Sequence, residues 1–121
     1  MQNTISEIIF ELKQHKIYVS HTTLLCLNKP LFIELLCEKD KHLLLIGGGN
    51  TKTSFSISIQ EQVYSDASHD CVIVSMGLTG MFCSQLNWDK NERYKVSGEY
   101  SPNLGMVVFD LKKAVKIIEE Q

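Results

Sequence analysis

The constraint that bears hardest on this chain is a mismatch between its strands and the cover available to them. Leu43 to Ile46, Cys71 to Val74 and Leu24 to Leu27 are runs of consecutive apolar residues with no polar alternation. A β-strand sends successive side chains to opposite faces, so a strand that is apolar throughout expects cover on both faces. The helical periodicity elsewhere predicts about two helices, enough to blanket one face of a small sheet. The other face then calls for something the chain does not contain. That points to a partner surface before any chemistry is considered.

The remaining bulk properties narrow the class. At 121 residues and 44% hydrophobic content, one domain can bury roughly two thirds of its unfolded surface. The formal charge is −2 and no Lys/Arg block exists, which argues against a phosphate-tracking surface and a nucleic-acid partner. No apolar run approaches the ~18 residues of a membrane span. The segment Met1 to Lys16 lacks a basic region followed by an apolar one, so neither a signal peptide nor a membrane partner is expected. Cys26, Cys37, Cys71 and Cys83 form no CxxC pair, and three of them lie in or beside apolar runs. They are expected to be buried, reduced, structural thiols, which places the chain in a reducing compartment, the cytoplasm or the nucleus.

Along the chain, Ile5, Ile8, Ile9 and Leu12 fall at helical spacing, and Thr4 with Glu7 fits a capping box. The β-branched content of residues 4–15 also permits a strand, and either form could dock on the core as a tail. Lys16 to Leu27 reads as a first strand, Asn28-Lys29-Pro30 as a turn and Leu31 to Cys37 as a second strand. Glu38 to His42 is a charged turn before a third strand, Leu43 to Ile46, which Gly47-Gly48-Gly49 should end as a tight turn at positive φ. Ser54 to Ile59 alternates strictly, as a half-exposed strand does. Gln60 to Asp70 reads as the longest polar loop, and Cys71 to Met76 as a strand. Thr79 is the N-cap candidate of a helix whose inner face is Phe82, Cys83 and Leu86, with Trp88 beyond. Tyr94 to Tyr100 and Met106 to Phe109 read as strands around the turn Ser101 to Gly105. Asp110 then caps a C-terminal helix with the stripe Leu111, Ala114, Val115 and Ile118, ending in Glu119 and Glu120 against its dipole. The fold class this implies is α+β: a single antiparallel sheet of about six strands with two helices on one face. The other face is left apolar for sheet-to-sheet dimerisation.

Candidate chemistry is thin. Gly47 to Thr51 follows a strand and could cradle a phosphate, but neither GxGxxG opening a helix nor GxxxxGK[ST] is present. Ser68-His69-Asp70 holds triad residue types as sequence neighbours, whereas triads converge in space. His15, His21, His42 and His69 show no HxH or HxxxH spacing, so no metal site is expected. Trp88, Tyr94 and Tyr100 lack the interleaved arginines of a base-stacking platform, Arg93 being the sole arginine. The reading is a protein-contact module rather than an enzyme, with no cofactor.

Several segments carry a family resemblance. LFIELLCEKD, then HLLLIGGG ending at glycine, then SFSISI, within His21 to Ile59, resemble the proteasome assembly chaperone 4 family. The likeness resumes at CVIVSMG, the Thr79-Gly80 helix start, a strand carrying Val96 and Ser97, and MVVFDL before a C-terminal helix. It covers most of the chain in order, with departures in residues 4–15 and in Gln60 to Asp70. The resemblance implies a non-enzymatic chaperone that pairs with a second chaperone of similar fold. Together they hold proteasome α-type subunits while the α ring of the 20S proteasome assembles. A self-dimer is expected as a substitute when that partner is absent. The partner face is expected to include Leu25, Leu27, Phe32, Leu35, Leu43, Leu45, Val72 and Val74. The alternatives are a profilin-like or roadblock-like adaptor, or a weak nucleotide binder using Gly47 to Thr51.

Overall fold

A computed structural model describes residues 6–38, 40–65 and 70–118. Among the described residues nine strands form one sheet: β1 (Ser6–Glu11), β2 (Lys16–Val19), β3 (Phe32–Glu38), β4 (Leu43–Gly49), β5 (Ile57–Ser58), β6 (Cys71–Val74), β7 (Arg93–Ser101), β8 (Met106–Asp110) and β9 (Val115–Ile117). Three helices accompany them: α1 (His21–Cys26), α2 (Glu61–Ser65) and α3 (Met76–Leu86). The sheet runs β5-β3-β4-β8-β7-β1-β2-β6, and every pairing is antiparallel. β9 pairs with Arg93 to Lys95 of β7, on the side opposite β1, where β8 pairs with Gly98 to Ser101. β8 and β9 thus act as one strand interrupted by the 3-10 turn Leu111–Lys113.

Register shows which side chains share a face, because directly opposed residues in an antiparallel pair point the same way. Phe10 opposes Ile17 and Tyr94, Ile17 opposes Ile73, and Ile8 opposes Val19 and Val96. Across the sheet, Leu44 opposes Cys37 and Phe109, and Ile46 opposes Leu35 and Val107. The hydrophobic residues among these, with Leu24 of α1, Val63 of α2 and Phe82 of α3, make one core. All three helices therefore cover the same face. Phe10 meets Phe82 edge-on at 5.2 Å between ring centroids and Trp88 at 5.0 Å, and Trp88 stacks on Tyr94 at 4.6 Å. These rings close the core over β1 and β7.

The fold class stands as α+β with an antiparallel sheet, but the strand count is nine rather than about six, and the helix count three rather than two. Three expectations account for the difference. Of the two forms open to residues 4–15 the described ones take the strand: Ser6–Glu11 is β1, which pairs on both sides, with β2 and β7, and a 3-10 turn, Leu12–Gln14, follows it. The run Leu24 to Leu27 is not strand. Ser20 caps α1 there, its Oγ accepting from the Thr23 N–H at 3.2 Å, and β2 stops at Val19. The segment after Asp110 is not an α-helix; one 3-10 turn passes into β9, whose β-branched Val115 and Ile117 pair with β7.

Smaller corrections follow the same logic. Ser75, not Thr79, caps α3, accepting from Leu78 N–H at 3.1 Å. Thr79 lies inside the helix and donates to the Ser75 carbonyl at 2.8 Å. Of SFSISI only Ile57–Ser58 is strand, and the Gln60 to Asp70 segment contains α2. Thr4, Ile5, Ser68, His69, Glu119 and Glu120 lie outside the described residues.

The glycine run is the most instructive correction. Gly47, Gly48 and Gly49 belong to β4, and the one positive-φ glycine is Gly105. They are small because neighbours come close. A Cβ on Gly47 would sit 2.9 Å from Met106 Cε, and one on Gly48 would sit 2.7 Å from Cβ and Cγ of buried Pro30. Gly47 admits a neighbour on one face of the sheet and Gly48 on the other.

Candidate partner-binding face

The face opposite the helices is built in rows by the same register. Leu36 of β3 opposes Leu45 of β4, which opposes Val108 of β8, which opposes Glu99 of β7. In the next row Glu38, Leu43 and Asp110 lie side by side. In the row on the other side Glu34 opposes Gly47, whose missing side chain leaves room for Met106. Leu36, Leu43, Leu45, Met106 and Val108 are therefore one contiguous apolar patch spanning β3, β4 and β8. None of them is fully buried, and Leu36 is 51% exposed.

The other half of this face is mixed: Ile117 and Val115 of β9 stand opposite Arg93 and Lys95 of β7, and Ile9 of β1 stands opposite Lys95 and Tyr18. Glu11 opposes Arg93 directly, with Arg93 Nε 3.0 Å from Glu11 Oε1, and Lys95 Nζ lies 3.6 Å from Glu7 Oε2. Lys16 and Tyr18 continue the face on β2, and Val72 and Val74 on β6. The cross-strand ion pairs lie at the middle of this half, between Val115 and Ile117 on one side and Val72 and Val74 on the other.

Of the residues expected at the interface, Phe32, Leu43, Leu45, Val72 and Val74 stand on the open face, as their register parity requires. They do not form one group, since β8, β7, β1 and β2 separate the β3–β4 members from the β6 members. Leu35 points the other way, opposite Ile46, and packs on the core. Leu25 and Leu27 are not strand residues: Leu25 is an exposed position of α1 and Leu27 its C-cap, packed against the core. Leu36, Met106 and Val108 were missed. The signal for Leu36 and Val108 was parity within LFIELLCE and MVVFD, where alternate apolar residues must leave the core.

A second concavity lies on the helical side. It is a cleft of about 570 Å³ lined by Leu12, His15, Thr79, Cys83, Trp88 and neighbouring residues. His15 holds a left-handed conformation at φ 59°, and its Nδ1 is 3.3 Å from Thr79 Oγ1. The Cys83 thiol resembles a nucleophile only at first sight. Burial pushes its pKa up, helped by the Asp89 charge, so it stays a protonated thiol at neutral pH. Cys71 is pushed up to about 11 by burial and by Asp70. The four cysteines are separate thiols.

The other chemical candidates lose their geometry. Gly47 to Gly49 are paired strand residues, so the phosphate cradle expected of a glycine loop is not formed there. Among the described residues no group of three His, Cys, Asp or Glu side chains is placed to hold a metal ion. Nor is any helix among them long and apolar enough to cross a membrane. Trp88 and Tyr94 stack on each other in the core, and Tyr94 Oη accepts from the Asp89 N–H at 3.0 Å. No family model, curated protein or solved structure matches this chain.

Proposed function

We propose that this protein is a non-enzymatic binding module that pairs through the helix-free face of its sheet. Its role is that of an assembly chaperone, partnered by a second chain of similar fold and holding proteasome α-type subunits. The observation that carries the pairing is the contiguous patch Leu36, Leu43, Leu45, Met106 and Val108 on a face without helical cover. Two such faces pack about 10 Å apart with strands roughly aligned, a geometry that demands side chains of this kind. A stable pair of this type buries roughly 1,200–2,000 Å². The chaperone role rests on the resemblance of the LFIELLCEKD, HLLLIGGG and CVIVSMG segments. The adaptor alternative uses the same face, so the client separates the two readings. The nucleotide reading loses support because its glycines are locked in a strand.

The test is co-purification of tagged chain from a cell extract, with and without Leu45→Lys. The expected result is enrichment of α-type proteasome subunits together with one small partner, both lost in the variant. Equal recovery with both forms, or recovery of no α-type subunit, overturns the chaperone role.

A further inference from the structure

Among the described residues, carboxylates mark the rim of the apolar patch. Glu34 and Glu38 flank Leu36 along β3, Asp110 flanks Val108 along β8, and Glu99 stands opposite Val108 on β7. Glu38 and Glu99 are exposed. Among the described residues, local partners neutralise little of this. Glu34 accepts from the Thr53 hydroxyl, and Asp110 Oδ1 accepts from the Lys112 N–H, neutral donors in both cases. Lys41 Nζ is 3.9 Å from Glu38 Oε2, with both side chains more than half exposed, and such a pair has little strength.

This rim decides which occupants fit. A second copy laid patch on patch brings the four carboxylates of each copy into one interface, a like-charge cost. A second copy offset by half the face sets Leu36 and Leu45 over a surface in which the Glu11–Arg93 and Glu7–Lys95 pairs lie among Ile9, Val115 and Ile117. That buries ion pairs under apolar side chains, a costly exchange. We propose that the carboxylates of Glu34, Glu38, Glu99 and Asp110 select a protein partner whose own apolar sheet face is rimmed by lysine and arginine, and that they disfavour self-pairing through this patch. The proposal rests on the pairing role given above and names the chemistry of the partner. Opposed charges at the rim also raise the rate of encounter and make the complex salt-sensitive.

The probe is a charge-reversed copy of this chain carrying Glu34→Lys, Glu38→Lys and Glu99→Lys, with Asp110 kept as the cap of its turn. Its patch is unchanged and its rim is basic. Circular dichroism and thermal melting establish that it folds. Sedimentation is then measured for wild type, for the reversed copy and for an equimolar mixture. The expected result is two monomers apart and a one-to-one dimer when mixed. Its dissociation constant rises at least tenfold between about 50 and 500 mM salt, and Leu45→Lys in either member abolishes it. A wild-type self-dimer that Leu45→Lys dissociates overturns the rim proposal while leaving the pairing face in place. A mixture that stays monomeric, or pairs independently of salt, also overturns the proposal; the pairing role is then judged by co-purification alone.

Discussion

Phe109 of β8 lies across Gly98 of β7, its direct register partner, so that a Cβ built on Gly98 would meet the ring at 2.6 Å from Cε1 and 2.7 Å from Cδ1. Phe109 is fully buried and cannot swing away. Gly98→Ala should therefore cost about 1–3 kcal/mol through overpacking. Gly49→Ala is the control: nothing lies within 4 Å of its Cβ position, and its effect should stay within about 0.5 kcal/mol. Urea melts of the two variants make the comparison. Equal effects would contradict the packing given for this strand pair.

The two faces of β4 can be told apart by adjacent residues. Leu44 is fully buried against Cys37 and Phe109, while Leu45 is half-buried on the open face. Leu44→Ala should cost about 2–5 kcal/mol, as a cavity in a core does. Leu45→Ala should cost well under half of that. A reversed order would mean the register is shifted by one residue.

Ser20 holds two elements at once. Its Oγ accepts from the Thr23 N–H of α1 and from the Glu7 N–H of β1 at 3.0 Å, and it lies 2.8 Å from Thr23 Oγ1. Ser20→Ala should cost about 1–2 kcal/mol, the upper part of the range for N-caps, because a strand N–H loses its partner as well. Ser75→Ala, which removes one cap bond to Leu78, should cost less. Chemical denaturation of both variants checks the ranking.

Alkali should destabilise the fold through its buried acids. Burial first, and Asp70 second, raise the Cys71 thiol from 9.0 to about 11. Burial and then Cys71 raise the Tyr64 hydroxyl, which donates to the Pro30 carbonyl, from 10.0 to about 12. Below pH 9 the folded and unfolded chains both hold the Cys71 proton, and its contribution is fully present. Between pH 9 and 11 the unfolded chain releases a proton the folded chain keeps, so stability falls as pH rises. Cys71→Ala should flatten the decline in that window. The same slope in wild type and variant, measured by denaturation at a series of pH values, would assign the loss to other groups.

Much of the sheet was legible because its two faces differ in chemistry. In β7 the alternation of Tyr94 and Val96 against charged or small residues points to a strand, in β8 the short apolar run Met106 to Phe109 does, and both strands are there. Three segments resisted for one physical reason: spacing describes a segment alone, and partners override it. Ile8, Ile9 and Leu12 fit a helix, yet Ile8 and Phe10 form an equally good alternate row once β2 and β7 pair on either side. Leu111, Ala114, Val115 and Ile118 fit a helical stripe, but the exposed edge of Arg93 to Lys95 captures β9 instead. In TTLLCL the apolar run concealed a helix whose signal was Ser20 at the N-cap. The open face was half legible. Consecutive apolar residues at Leu43 to Ile46 demanded cover on both sides, but the rim of acids became visible only when register placed Glu99 and Asp110 beside Val108.

Photo-crosslinking from a single position tests the central claim most directly. A photoreactive phenylalanine analogue replaces Leu36 on the open face in one form, and exposed Ser84 of α3 on the helical side in another. Both are irradiated in cell extract under identical conditions. A discrete crosslinked species from position 36, lost when Leu45→Lys is added and not formed from position 84, is the expected result. Crosslinking from position 84 with none from position 36 would contradict the account, because the partner would then sit on the helices and the apolar face of the sheet would have no role in binding.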